Sequence, residues 1–191
     1  MSRLAIPIVL VLTGCGGATA ELKLMDAPPA GVTAVEVFVA AMQVHVVDKD
    51  KAKDADPNDK SIDDDNYWES LAVGRSIDLV QHQGESAAEL LGQLDLPEGK
   101  ITQIRLVIDT TRPNTATYQG TKCDLDTSKV EVKGIKIDHP FKALDARPGA
   151  KHELWVDFKL DESLTAAGKC FVLLPKLKLH KVKVDGADIA F

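Results

Sequence analysis

The feature that most constrains the fold of this chain is a two-residue alternation of apolar and polar side chains. Val35, Val37 and Val39 occupy every second position of one such run. Because successive side chains of a β-strand point to opposite faces of a sheet, this pattern predicts strands that each bury one face. The same alternation recurs along the chain, at Leu22–Leu24, Met42–Val46, Ile104–Ile108, Leu154–Leu160 and Leu177–Val184.

The alternation slips by one position at three places, and each slip predicts a β-bulge. The slips fall at Ala40-Ala41, at Gly134 and at His180-Lys181. A bulge adds one residue to one strand of a pair and thereby shifts the phase of the side chains. At Gly134 we expect the bulge to join Val130–Val132 and Ile135–Ile137 into one strand.

Helical signal is weak by comparison. Only Glu85–Leu91 has a helical composition, and Gly92 would end that short helix. Turn signals such as Pro97-Glu98-Gly99 and Arg147-Pro148-Gly149 separate the alternating runs. The sequence therefore predicts an all-β fold, a single antiparallel β-sandwich of about seven to nine strands with one short helix. We expect it to be immunoglobulin-like or prealbumin-like.

The start of the chain has the layout of an export signal. Arg3 precedes the apolar run Leu4–Val11, which is shorter than the roughly 20 residues that span a bilayer. The run leads into Leu12-Thr13-Gly14-Cys15, which resembles a bacterial lipoprotein signal. We therefore predict a signal peptide over residues 1–14, a lipidated Cys15 with a linker over 15–20, and a β-sandwich domain over 21–191.

A second cleavage site leaves an alternative open. Ala18-Thr19-Ala20 is an A-x-A site at a suitable distance from the apolar run. Cleavage there would release a soluble periplasmic or secreted protein. In the lipoprotein alternative, Gly16 is not the Asp that typically retains Gram-negative lipoproteins on the inner membrane. The predicted location is therefore the outer membrane.

The cysteine count agrees with export. The chain has three cysteines, Cys15, Cys123 and Cys170. If lipid modifies the first, the other two are expected to pair in an oxidising compartment. We predict a Cys123–Cys170 disulfide, with two buried free thiols as the alternative.

Charge and motifs exclude several classes of function. The formal net charge is −6 and the lysines near the end alternate with apolar residues, which argues against nucleic acid as a partner. There is no G-x-S-x-G elbow and no H-x-x-x-H pair. The five histidines are scattered singly, at positions 45, 82, 139, 152 and 180. We therefore predict a protein that is not an enzyme and carries no cofactor.

The segment 48–66 is strongly acidic and nearly free of apolar residues. Such a segment cannot bury enough surface to offset its ordering entropy, which predicts a solvated insertion between two strands. Asp54, Asp56 and Asn58 have the spacing that begins a calcium loop, so they are weak candidates for metal ligands. An EF-hand needs Gly where Asp59 stands and Glu where Asp65 stands. We therefore predict no metal site.

Several stretches of the chain together resemble one protein family. The most specific is Thr102-Gln103-Ile104-Arg105-Leu106, and Val44-His45 also matches. Further matches are Leu24-Met25-Asp26-Ala27-Pro28, Gly134-Ile135-Lys136-Ile137, Pro140-Phe141 and Asp157-Phe158-Lys159-Leu160 with Ser163. These stretches resemble the bacterial lipoprotein domains of domain-of-unknown-function family 4382. The resemblance implies an exported, membrane-anchored β-sandwich and supplies no catalytic residue.

The function predicted from all of this is that of a non-catalytic cell-envelope lipoprotein with a protein-interaction or structural role. Its expected partners are the membrane, through the lipid on Cys15, and an unidentified envelope protein or glycan. The alternative is an exported module that binds carbohydrate or calcium. For the carbohydrate alternative, Trp155 and Trp68 are the aromatic candidates, since sugars stack on exposed rings. Packing of Trp68 against an edge of the core is the favoured structural interpretation.

Overall fold

Two open β-sheets account for most of the structure. The computed structural model describes residues 17–26, 28–48, 67–137 and 142–190. Within these residues it contains fourteen strands and one short α-helix. No helix in these ranges is long and apolar enough to cross a membrane. The prediction of a mostly β fold is therefore confirmed.

The first sheet has five strands, Ala18–Asp26 (β1), Glu89–Leu96 (β4), Lys151–Phe158 (β10), Leu177–Val184 (β13) and Ala187–Asp188 (β14). Their order across the sheet is β14-β13-β10-β1-β4. β1 is antiparallel to β4 but parallel to β10. The expectation of a wholly antiparallel sandwich is therefore wrong at this pair. Parallel neighbours need a long crossover connection, and here the second sheet lies between β1 and β10 in the chain.

The second sheet is built around the long strand β2. The bounds of its strands are Val32–Val47 (β2), Trp68–Asp78 (β3), Gly99–Ile108 (β5), Thr115–Tyr118 (β6), Thr121–Asp124 (β7), Ile135–Lys136 (β8) and Leu144–Ala146 (β9). The strand order is β7-β6-β2-β5-β8, while β3 also pairs with β2 and β9 with β5. β2 pairs with β6 along its first half and with β5 along its second half.

The two remaining strands form a hairpin, and this hairpin carries one end of the disulfide. The hairpin strands are Leu164–Ala167 (β11) and Cys170–Leu173 (β12), and helix α1 (Leu160–Ser163) leads into them. Cys123 and Cys170 are joined, with their Cα atoms 5.8 Å apart, so the predicted disulfide is present. The bond links the hairpin to β7, at the edge of the second sheet.

The inner faces of both sheets contribute to one hydrophobic cluster. Leu22, Leu24, Leu154 and Val156 enter it from the first sheet, and Val37, Val44, Ile104 and Leu106 enter it from the second. All eight side chains are fully buried. Burying a side chain of this size contributes about 1.5 to 3 kcal/mol, so the shared cluster holds the sheets face to face. This is the layout of a β-sandwich.

Two of the three predicted bulges are confirmed. Ala40 is an extra residue between Val39 and Ala41, and His180 is an extra residue opposite β10. At Gly134 the prediction is wrong, because Val130–Val132 is not a strand and the Val132 side chain is 80% exposed. The Gly134 amide donates to the Glu131 carbonyl at 3.0 Å, so a turn precedes β8.

The helix prediction for Glu85–Leu91 is also wrong. Only Glu85–Ala87 forms a single 3-10 turn, and Leu90 and Leu91 lie in β4. Pairing of β4 with β1 overrides the local helical preference, and Gly92 sits opposite Leu22 within that ladder.

The structure also corrects two further expectations. Within the described ranges the α-helix is α1, far from the predicted position, and its first amide, at Leu160, donates to Asp26 Oδ1 at 3.1 Å. The predicted linker over 15–20 extends no further than Gly17, because β1 begins at Ala18. Ala18 and Ala20 are fully buried; Ala18 pairs with β4, and Ala20 pairs with both β4 and β10.

Candidate functional site

A group of polar side chains crosses the second sheet on the face that points away from the hydrophobic cluster. Met42 and Val44 belong to the hydrophobic cluster, so Gln43 and His45 point to the opposite face. His45 pairs with Trp68 on one side and with Gln103 on the other, while Gln43 lies between Ser70 and Arg105. We call the following set the polar cluster: Gln43, His45, Trp68, Ser70, Thr102, Gln103 and Arg105.

A β-bulge places Thr102 in the polar cluster. Gln103 pairs with His45 and Ile101 pairs with Val46, which leaves Thr102 as an extra residue in β5. Bulges re-aim the side chains around them, and this one brings Thr102 Oγ1 to 2.5 Å from His45 Nδ1. The hydroxyl thus meets the imidazole on the face of the sheet that carries the polar cluster.

Arg105 is held on two sides within the polar cluster. Its Nε donates to Gln43 Oε1 at 2.6 Å, and its guanidinium carbon lies 3.9 Å from the centre of the Trp68 ring. Gln43 Nε2 in turn donates to Ser70 Oγ at 3.3 Å. A guanidinium over an indole face gains cation–π energy, which grows when the pair is shielded from water.

Gly134 makes room for the Arg105 side chain. A Cβ at this position would lie 3.1 Å from Arg105 Cδ and 3.1 Å from Val107 Cγ2, and the φ angle is +111°. Both the close approach and the backbone angle therefore favour glycine. The turn before β8 thus forms part of the support of the polar cluster.

Burial distinguishes the polar cluster from an open surface site. His45 is 1% exposed and Gln103 is 0% exposed. The His45 ring is also 5.0 Å from the Trp68 ring, centre to centre. Gln103 Oε1 accepts from the Ile104 amide at 2.9 Å, but Gln103 Nε2 has no hydrogen-bond partner among the described residues. The polar cluster therefore has a buried centre at His45 and Gln103.

A second polar region covers Trp155 on the outer face of the first sheet. The ring is 6% exposed. Three ammonium groups surround it, with nitrogen-to-centroid distances of 4.2 Å for Lys23, 5.7 Å for Lys181 and 5.6 Å for Lys183. Lys23 Nζ also donates to Glu153 at 2.7 Å, and this hydrogen bond lowers the pKa of the Glu153 carboxyl below its usual range. Lysine side chains thus shield the face of this tryptophan.

A cavity of about 560 Å³ lies between β9 and the β13–β14 hairpin. Leu144, Val184 and Ile189 form its apolar wall. Arg147 and Asp185 form an ion pair among its lining residues, in which Arg147 Nη2 donates to Asp185 Oδ2 at 2.7 Å. The charge of this pair is therefore balanced.

The predicted site residues fall in different parts of the chain. Cys15 lies outside the described residues, and so do Asp54, Asp56 and Asn58. Within the ranges that the structure describes, no group of three or more His, Cys, Asp or Glu side chains could hold a metal ion. Trp68 belongs to the polar cluster on the outer face, so its predicted packing against the edge of the core is wrong.

The residues of the family resemblance separate into two groups. His45 and the stretch 102–106 are far apart in sequence but adjacent in the second sheet, where they build the polar cluster. Asp26 and Ser163 have architectural contacts instead. Asp26 accepts from the first amide of α1, and Ser163 Oγ accepts from the Lys176 amide at 2.9 Å. The sequence singles out these stretches through the family resemblance, but it does not predict that His45 and the stretch 102–106 lie side by side in the sheet.

Taken together, the described residues form a mostly β domain of two open sheets with a partly buried polar network on one outer face. A family model described as "Domain of unknown function (DUF4382)" matches residues 17–175. The chain belongs to this family.

No curated protein is similar enough to this chain to count as a match. Among solved structures, the chain is similar to a crystal structure described as that of a "putative cell adhesion protein" from Bacteroides eggerthii, at 11% identity and a TM-score of 0.33. That likeness covers 88% of this chain and 55% of the other, so the chain spans about half of that protein's length.

Proposed function

We propose that this protein is a non-catalytic cell-envelope lipoprotein, anchored through Cys15, whose β-sandwich serves as an interaction or structural module. We further infer that the sandwich is immunoglobulin-like or prealbumin-like. The two open sheets and their shared hydrophobic cluster support this assignment.

The observation that carries the proposal is the position at which β1 begins. Ala18 and Ala20 are fully buried and pair with β4 on one side, while Thr19 and Ala20 also pair with β10 on the other. The Thr19 amide donates to the Ala150 carbonyl at 2.9 Å. Cleavage after Ala20 would remove these three residues from an interior strand. Each backbone hydrogen bond lost costs about 0.5 to 1.5 kcal/mol. Cleavage at this site, as in the soluble alternative, would therefore shorten β1 and destabilise the sandwich.

Cleavage before Cys15 leaves this strand whole. Gly17 packs closely as well, since a Cβ there would lie 2.0 Å from the Leu96 carbonyl oxygen. A mature chain that begins at Cys15 keeps every residue from Gly17 onward. The packing of Gly17, Ala18 and Ala20 thus supports Cys15 over Glu21 as the first residue.

Membrane fractionation of the native chain tests this proposal. We expect the wild type to sediment with membranes and to need detergent for extraction, and we expect Cys15→Ser to become soluble. Gly16→Ala is the matched control, because it changes the neighbouring residue and keeps the lipid acceptor. A wild type that stays in the soluble fraction would contradict the proposal. Separation of the two membranes on a density gradient would test outer-membrane delivery, and we expect Gly16→Asp to move the protein to the inner membrane.

The contacts made by the buried groups of the polar cluster support a non-catalytic role. His45 is buried against Thr102, and the Arg105 guanidinium is engaged by Gln43 and Trp68. The rings of both tryptophans already contact cationic side chains, which would compete with a sugar for the indole faces. The expected partner is therefore an envelope protein in preference to a glycan. Photo-crosslinking of the lipidated chain in intact envelopes, compared with binding to a glycan array, distinguishes the two.

A further inference from the structure

We propose that the sandwich stands end-on against the bilayer, with one defined end in contact with the phospholipid surface. The contact surface consists of three turns, at Pro97-Glu98, at Arg147-Pro148-Gly149 and at Asp185-Gly186. We call it the tether end. This inference rests on the proposed lipidation of Cys15 and adds the orientation in which the domain is held.

The tether is too short to let the domain turn freely. β1 begins at Ala18, and the Gly17 carbonyl already accepts from the Gly149 amide at 3.2 Å. Only Gly16 then separates the ordered domain from the lipidated Cys15. Two residue steps span about 7 Å at full extension. The acyl chains hold the Cys15 sulfur at the membrane, so the surroundings of Gly17 lie at the level of the lipid headgroups.

Contacts around Gly17 identify the turns that come with it. A Cβ on Gly17 would lie 3.7 Å from Pro97 Cα, which places the β4–β5 turn beside it. The turn at Arg147–Gly149 is hydrogen-bonded to Gly17 itself. The third turn is fixed to the second, because Asp185 accepts from Arg147 at 2.7 Å and from the Lys151 amide at 2.9 Å. All three turns are exposed.

The charges of the tether end suit a zwitterionic lipid surface. The Arg147 guanidinium is paired with Asp185, and nearby Lys100 is paired with Asp145 at 2.9 Å. In the sequence, the segment 48–66, with its net negative charge, lies between Val47 and Tyr67. Val47, just before this segment, lies beside Gly99. Tyr67, just after it, accepts a hydrogen bond from the Val46 amide through its carbonyl. Among the described residues of this end, Arg147 and Lys100 are both paired with acids, so we take the short tether to set the orientation.

Strand β10 provides an internal ruler for the test. It runs from Lys151, next to the tether end, to Phe158, and α1 follows at Leu160. Eight strand residues span about 26 Å. Pro148 and Asp161 are exposed and lie beyond opposite ends of this strand. Labels at these two positions should therefore differ in height above the membrane by about the length of β10.

The experiment uses the full lipidated chain in phosphatidylcholine vesicles with a nitroxide on the headgroup of a small share of the lipid. Pro148→Cys and Asp161→Cys each receive a fluorophore, since the other cysteines are occupied by lipid or disulfide. We expect quenching of the Pro148→Cys label to be several-fold stronger. The matched control is the same pair with a flexible Gly/Ser insertion between Gly16 and Gly17, which should bring the two quenching values close together.

The outcomes separate this inference from the proposed function. Chains that float with the vesicles and quench equally at both positions would overturn the end-on orientation and leave the lipid anchor intact. Chains that fail to float, and whose mass shows no acyl groups, would overturn the anchor and the orientation with it. Stronger quenching at Asp161→Cys than at Pro148→Cys would reverse the orientation and equally contradict the proposal.

Discussion

Removal of the Cys123–Cys170 disulfide should lower the free energy of unfolding by about 4 kcal/mol. The two residues are 47 positions apart, so in the unfolded chain the bond closes a loop of that size. The chain-entropy relation gives about 14 cal/mol/K for such a loop, which amounts to about 4 kcal/mol at 25 °C. For a chain of this length, a loss of that size lowers the Tm by roughly 8 to 16 °C.

Urea unfolding followed by tryptophan fluorescence measures this loss. The reduced wild type and the variant Cys123→Ala/Cys170→Ala should both unfold at lower urea than the oxidised wild type, by the same amount. Reduction breaks the bond and keeps the side chains, so it serves as the matched control for packing lost in the variant. Equal stability of the oxidised and reduced chains would refute the reasoning. Full alkylation of both thiols in the unfolded, unreduced chain would show that the bond is absent.

Three further predictions concern the polar cluster, the acidic segment and the response to acid. A double-mutant cycle of Trp68→Leu and Arg105→Met should give a coupling free energy of about 1 kcal/mol in urea unfolding, whereas additive losses would contradict the stacking. Replacement of the segment 48–66 by a Gly-Asn turn should leave the Tm nearly unchanged, and calorimetric titration of the intact chain should show no micromolar calcium binding. Hydrogen bonding from Lys23 lowers the pKa of the Glu153 carboxyl in the folded state. The ionised carboxylate should therefore stabilise the fold at pH values above the usual Glu pKa, and this stabilisation should be lost as pH falls through the lowered pKa. Glu153→Gln should therefore flatten the fall in Tm measured below about pH 4.5, and an unchanged pH profile would contradict this.

The strands could be predicted from the sequence to the extent that local alternation determines them. The bulges at Ala40 and His180 could be predicted, because a change of phase within one strand is a local signal in the sequence. The parallel pairing of β1 with β10 has no such signal, since it depends on which distant strands meet. For the same reason Leu90 and Leu91 were assigned to a helix, although their place beside β1 makes them part of a strand.

The polar cluster was partly visible in the sequence. Alternation puts Arg105 on the polar face of its strand, and the family resemblance drew attention to His45 and the stretch 102–106. Contact between them depends on the register of β2 and β5, which the bulge at Thr102 sets. A signal for that bulge exists, because Ile101 and Ile104 are three positions apart where the strand period is two. The place of Trp68 in the polar cluster could not be predicted from the sequence, because nothing local indicates that it lies across β2 from Gln103.

The first residue of the mature protein is the most direct test of the lipid anchor. Intact-mass and N-terminal peptide mass spectrometry of the native protein, extracted from membranes with detergent, identifies that residue. We predict a chain that begins at Cys15 and carries a diacylglycerol on its sulfur and an acyl group on its amine. An unmodified chain that begins at Glu21 would contradict the account, because β1 would then lack Ala18, Thr19 and Ala20 and the sandwich would have no anchor.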